Sequence, residues 1–148
     1  MIIKNKFCNW NHSFQKKLKY ASFGPINGLM CGCVSKDSNT LTYVYMNNIH
    51  IKGWLIVGNT KLGPTIMTFT NKRYRKSGVS SKLVVRAISD NKINNALVFP
   101  HDVKSENLYK KIQQTYPNLR LMSGDEFYFY SLRNRFDPPN VDQQWSAL

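Results

Sequence analysis

The chain has 148 residues, of which 42% are hydrophobic and 13% aromatic, enough apolar matter to bury a core and too much for a disordered tail. Its 21 Lys and Arg against 8 Asp and Glu give a formal charge of +13, so an anionic partner is expected: nucleic acid, an acidic membrane face or a phosphate-rich cofactor. No run approaches the roughly 18 apolar residues of a membrane helix, and residues 1–10 lack the apolar stretch of a signal peptide, which points to a protein that stays in the cytoplasm or is packaged in a particle.

In chain order, Asn11–Phe23 opens with cap-type residues and carries Phe14, Leu18 and Ala21 at helical spacing. An amphipathic helix is predicted there, with Lys16, Lys17 and Lys19 mostly on its wet side and Gly24-Pro25 ending it. Asn27-Gly28 reads as a turn, and Leu29–Ser35 as a short apolar strand. On such a strand Cys31 and Cys33 would share one face as buried thiols. With Cys8 the cysteine count is odd, and the Cys-x-Cys spacing lacks the usual zinc knuckle, so neither a disulfide framework nor a metal site is expected.

Lys36–Asn39 is a turn, and Thr40–Met46 is rich in Tyr, Val and Thr, as strands are. Asn47-Asn48 breaks the pattern before a second strand over His50–Gly58. A turn containing Gly63-Pro64 precedes a third, Thr65–Thr70. Such short connections imply consecutive antiparallel strands. The period then changes: Val79, Leu83, Val84, Ala87 and Ile88 predict a helix from Val79 to Asn91. Asn94–Phe99 reads as a buried strand, Ser105–Thr115 as a helix with Leu108 and Ile112 inward, and Phe127–Leu132 as a last strand. Residues 133–148 form a tail with Asp137-Pro138-Pro139 and Trp145, extended or docked on a partner, after a single domain over residues 1–132. The order implies an α/β fold: a mixed, mostly antiparallel central sheet flanked by helices, with one parallel crossover.

The junction from Thr65 to Val85 carries the most chemistry. A strand runs into Asn71–Tyr74, and Arg75-Lys76-Ser77-Gly78-Val79-Ser80-Ser81 opens the strong helix. The amides of a helix's first turn have no internal acceptors, and the helix dipole favours negative charge there. Gly78, Ser80 and Ser81 are small enough to let an anion approach, and Arg75 and Lys76 add charge. The segment is neither a Walker loop, lacking Gly-Lys-Ser/Thr, nor a three-glycine dinucleotide fingerprint.

Arg75-Lys-Ser-Gly78-Val-Ser80 resembles the Arg/Gln-x-x-Gly-x-Gly/Ala motif of the GNAT acyl-CoA-dependent acetyltransferases, with Ser80 in the place of the last small residue. Asp102 followed by Leu108-Tyr109 is similar to that family's Asn and Leu-Tyr pair after the fifth strand. The resemblance covers roughly Ile51–Tyr130 and implies a GNAT-like fold. It further implies that Arg75, Lys76, Gly78, Val79, Ser80 and Ser81 hold the diphosphate of acetyl-CoA, with Phe69 on the preceding strand beside the cofactor. Tyr109 would protonate the departing thiolate, and a backbone donor of the Ile66–Thr70 strand would hold the acyl carbonyl. No carboxylate lies on the strands where a base for the amine is often found, which leaves His101 and Asp102 as candidates.

Three function classes follow. The first is an N-acetyltransferase acting on an amine. The second keeps the fold without the chemistry, for example as a phage virion component docked through its tail; the richness in Asn, Lys and Ile fits an AT-rich genome such as many phages have. The third is a basic nucleic-acid-binding module, for which Lys72-Arg73-Tyr74-Arg75 and Phe129–Arg135 set aromatic beside basic residues.

Overall fold

In the computed structural model, residues 1–21, 25–60, 63–75, 77–100 and 103–122 are described. The expected strand over Phe127–Leu132, the tail, Lys76, His101 and Asp102 lie outside them.

The chain begins with an edge strand that the sequence pattern does not announce, β1 (Ile2–Lys6), followed by α1 (His12–Lys19) and α2 (Pro25–Lys36). Three strands come next, β2 (Leu41–Asn47), β3 (His50–Thr60) and β4 (Gly63–Thr70). Then α3 (Val79–Asn91), β5 (Leu97–Val98), α4 (Val103–Gln113) and β6 (Arg120–Leu121) complete the described elements. The six strands lie in sequence order in one sheet. The first four are antiparallel neighbours. The expected parallel crossover runs from β4 through α3 to β5, and a second follows through α4 to β6. This is a mixed, mostly antiparallel sheet flanked by helices, consistent with the GNAT-like α/β arrangement that the motifs imply.

The helices divide between the two faces. On one, Leu18 of α1 and Ile26, Leu29, Met30, Cys33 and Val34 of α2 pack on Val44, Trp54, Ile56, Met67 and Phe69. On the other, Val79, Leu83, Val84, Ala87 and Ile88 of α3 and Tyr109 and Ile112 of α4 pack on Tyr43, Leu55 and Ile66. Strand alternation produces both cores from the same strands: Leu55 points to α3, while its neighbours Trp54 and Ile56 point to α2. No helix of the described residues is long and apolar enough to cross a membrane.

Two sequence expectations are corrected. Leu29–Ser35 is not a strand but the body of α2. Its buried residues Ile26, Leu29, Met30, Cys33 and Val34 recur at three and four positions, the helical period, and Pro25 occupies the first helical position, where its missing N–H costs nothing. Cys31 and Cys33 therefore face different ways: Cys33 is buried toward the sheet, while Cys31 donates to the Lys19 carbonyl of α1 at 3.6 Å. Gly63-Pro64, expected as a turn, instead starts β4 and stays paired with Asn59 and Thr60, at the strand end where proline is tolerated.

The thiols offer a chemical check on this packing. Burial pushes Cys31 up to about 11, against a smaller downward pull from Lys19, whereas Cys8 is exposed. At pH near 8 only on the order of one Cys31 in a thousand is thiolate, the reactive form. Iodoacetamide should alkylate Cys8 within minutes and leave Cys31 and buried Cys33 unmodified until the chain is unfolded. Peptide mass spectrometry reads the order, and early labelling of Cys31 would contradict its place against α1.

Candidate anion and thioester site

The site is built where β4 ends and α3 begins. Asn71 donates its main-chain N–H to the Lys52 carbonyl at 2.8 Å, so the main chain of Asn71 faces β3. Because N–H and C=O directions alternate along a strand, Phe69 and Met67 also face β3, while Thr68 and Thr70 face the opposite side. On that side β5 pairs, among the described residues, with Thr65 and Ile66. β4 continues through Thr70 after its last pairing with β5. Thr68 thus presents a main-chain donor and acceptor where the two strands part.

Past β4 the chain makes a short 3-10 turn, Lys72–Tyr74, which Asn71 caps by accepting from the Arg73 N–H at 3.2 Å. The side chain of Asn71 also donates to the Ala21 carbonyl at 3.5 Å, which brings the end of α1 beside the end of β4. Gly78 is the N-cap of α3, with φ of 80° in the left-handed region. A side chain there would be strained, which is why glycine occupies it. The first helical bond runs from the Lys82 N–H to the Gly78 carbonyl at 3.0 Å.

No side chain of the described residues caps this helix start. The Ser77 hydroxyl donates instead to the Tyr74 carbonyl, and Ser80 shares a hydrogen bond with the Thr70 hydroxyl. Ser80, which replaces the motif's last small residue, is thereby turned onto β4. The amides of Val79, Ser80 and Ser81 have no protein acceptor among the described residues. Ser77 and Gly78 are exposed, Val79 is buried, and Ser80 and Ser81 are half-buried.

Positive charge surrounds this entrance. Arg75 donates from Nε to the Thr70 carbonyl at 3.5 Å, and Lys72 and Arg73 are exposed on the turn before it. Lys52 on β3 and Lys82 on α3 stand against the rings of Tyr45 and Tyr74. The sequence motif did not reveal Lys52, Lys82 or Tyr45, because the strand pairing and the helix start bring them together from separate segments.

The structure places the remaining expected residues as follows. Phe69 has its side chain in the α2-side core and its main chain turned to β3, so the residue that meets the parting is its neighbour Thr68. Tyr109 lies on α4, 2% exposed, in the core between α3, α4 and the sheet. Arg75, Gly78, Val79, Ser80 and Ser81 all converge on the α3 entrance. No group of His, Cys, Asp and Glu suited to a metal ion occurs among the described residues.

No protein-family model matches the chain, and no curated protein matches it.

Proposed function

We propose that the chain is a small N-acetyltransferase that moves an acetyl group from acetyl-CoA to an amine. One observation carries this reading: the α3 amides, which have no acceptor among the described residues, stand beside the end of β4, past its last pairing with β5 among the described residues. The helix start suits a diphosphate, and an extended arm that continues from it can take up the main-chain positions that β5 vacates. The Arg75–Ser80 motif agrees in type and position with that use.

Acetyl-CoA supplies the acyl group as an activated thioester. The amides of Val79, Ser80 and Ser81 bind and orient its diphosphate, and Arg75 adds charge outside them. The Thr68 N–H faces the parting and serves as donor to the thioester carbonyl oxygen, where negative charge grows during attack. Holding the thioester in this slot sets its carbonyl carbon toward the acceptor amine and keeps water away from it. As the amine forms the new C–N bond and the C–S bond breaks, Tyr109 gives its proton to the leaving sulfur, and the proton lost by the amine nitrogen restores the tyrosine through solvent.

Calorimetric titration with acetyl-CoA tests the reading directly. Saturable binding is expected, and no heat at millimolar ligand would leave a protein that keeps the fold without the chemistry. If binding is found, Tyr109→Phe should reduce turnover by roughly 100-fold with little change in affinity. A purely structural tyrosine would lower the melting temperature and leave turnover per folded molecule intact.

A further inference from the structure

Two lysines beside the α3 entrance, Lys52 and Lys82, stand against aromatic rings instead of carboxylates, with exposed Arg73 and Arg75 between them, and from this the geometry points to a surface that binds the phosphate backbone of a nucleic acid. The Lys52 ammonium stands 5.2 Å from the Tyr45 ring centre and 5.6 Å from that of Tyr74. Lys82, one turn into α3, stands 5.9 Å from the same Tyr45 ring. Arg73 and Arg75 are exposed on the segment that joins β4 to α3. None of these four cations is paired with a carboxylate among the described residues.

Single lysines stand against rings elsewhere, Lys4 at 6.0 Å from Tyr43 and Lys19 at 5.6 Å from Phe7, but here two lysines share the Tyr45 ring beside two exposed arginines. Arg86, one turn beyond Lys82, is bonded to Asp90 at 2.8 Å, and Lys110 on α4 is bonded to Glu106 at 3.2 Å. A carboxylate fixes a lysine and cancels its charge. A ring face fixes it and leaves the charge in place. Lys52 and Lys82 are therefore positioned in advance with their charge intact, which lowers the ordering cost when a polyanion arrives. An array that runs from β3 across the connecting turn onto α3 is more than one diphosphate at the helix start can engage. It suits a chain of phosphates, whose charge such cations neutralise.

This inference goes beyond the transferase reading and does not need it: Lys52, Lys82 and Tyr45 border the α3 entrance but hold no group of acetyl-CoA in that reading, and binding is measured without acetyl-CoA. The probe is a fluorescein-labelled oligonucleotide of about 20 nucleotides, as single-stranded RNA and as duplex DNA, titrated with the full-length chain across a salt series. Vesicles of phosphatidylcholine and phosphatidylserine form a parallel arm. Affinity for at least one oligonucleotide is expected to fall steeply with salt. Lys52→Ala with Lys82→Ala should make the log–log slope for the single strand shallower by roughly 1.4, the share of two phosphate contacts. Lys16→Ala with Lys17→Ala, on α1 across the sheet, should leave the slope unchanged. Lys82→Glu, an exposed helix position, provides a second variant and should weaken binding further than Lys82→Ala. The proposal is overturned if neither oligonucleotide binds at low salt, if both double variants flatten the slope equally, or if only the anionic vesicles bind.

Discussion

Replacing Ser81 by glutamate is expected to weaken acetyl-CoA binding by roughly 30- to 100-fold while the fold becomes no less stable. Ser81 is the third helical residue of α3, and its amide belongs to the set without protein acceptors. A glutamate at that position can bond back to the N-cap amide and interacts favourably with the positive end of the helix dipole, a gain of about 0.3–1 kcal/mol. The same carboxylate stands where the diphosphate is proposed to sit. Like charges a few ångströms apart, at an effective dielectric of about 20–40, repel by roughly 2–3 kcal/mol. The two effects have opposite signs, so a melting curve and a titration on one sample separate them. Affinity retained alongside an undiminished melting temperature would mean that the α3 amides do not hold the phosphates. A general loss of folding cannot imitate the expected pair of results.

Gly53→Ala should lower the melting temperature by roughly 6–10 °C, the equivalent of about 2 kcal/mol in a chain of this size. A glycine inside a strand ordinarily gives up about 0.5–1 kcal/mol relative to alanine, so the naive expectation is a gain. Here a Cβ would meet the Phe69 carbonyl oxygen at 2.7 Å, Val79 Cγ1 at 3.0 Å and Thr70 Cα at 3.3 Å. Two of these atoms are main chain and cannot move without disturbing the β3–β4 ladder. The third belongs to the first residue of α3, so the strain falls on the helix start as well, and acetyl-CoA affinity should drop with stability. Gly58, on the same strand, has nothing within 4 Å of its would-be Cβ. Gly58→Ala should therefore be neutral or slightly stabilising, by at most about 1 kcal/mol. Equal melting temperatures for the two variants would show that α3 does not press on β3 at Gly53.

These expectations concern a few residues at which separate segments meet, and such residues are the hardest to read from sequence. The motif around Gly78 was visible as a motif because its residues are contiguous. That its amides lack capping partners was not visible, since it depends on where Ser77 and Ser80 turn their hydroxyls. Thr68 carries no signal at all in the sequence. It is singled out only by which side of β4 faces β3 and by where the described pairing with β5 ends. Lys52 and Lys82 lie 30 residues apart and share Tyr45 only because β2 and β3 pair and α3 lies over them.

Strong local periodicity determined much of the rest. The bounds of α3 follow from five apolar residues at helical spacing, and β2, β3 and β4 from their Tyr, Val, Thr and Ile content. Asn11, expected among the cap residues of α1, accepts from the Phe14 N–H at 2.8 Å. Where local signals conflicted, tertiary packing decided. In α2 the Asn27-Gly28 pair and the run of Cys and Val favour turn and strand, yet Leu29, Met30, Cys33 and Val34 bury a continuous stripe against the sheet only as a helix. Asn27 itself is buried, accepting from Trp54 Nε1 at 3.2 Å and donating to the Lys19 carbonyl at 3.1 Å, so what reads as a turn residue joins two helices to β3. β1 and β6 are short and polar in part, and hydrogen bonding to a neighbouring strand, not their own composition, makes them strands. The sequence by itself determined the class of the fold and the chemistry available at the α3 entrance, because both rest on neighbours in the chain. The parting of β4 from β5 and the gathering of Lys52, Lys82, Tyr45 and Tyr74 were decided by the tertiary structure alone, because sheet register joins residues whose separation along the chain holds no trace of the contact.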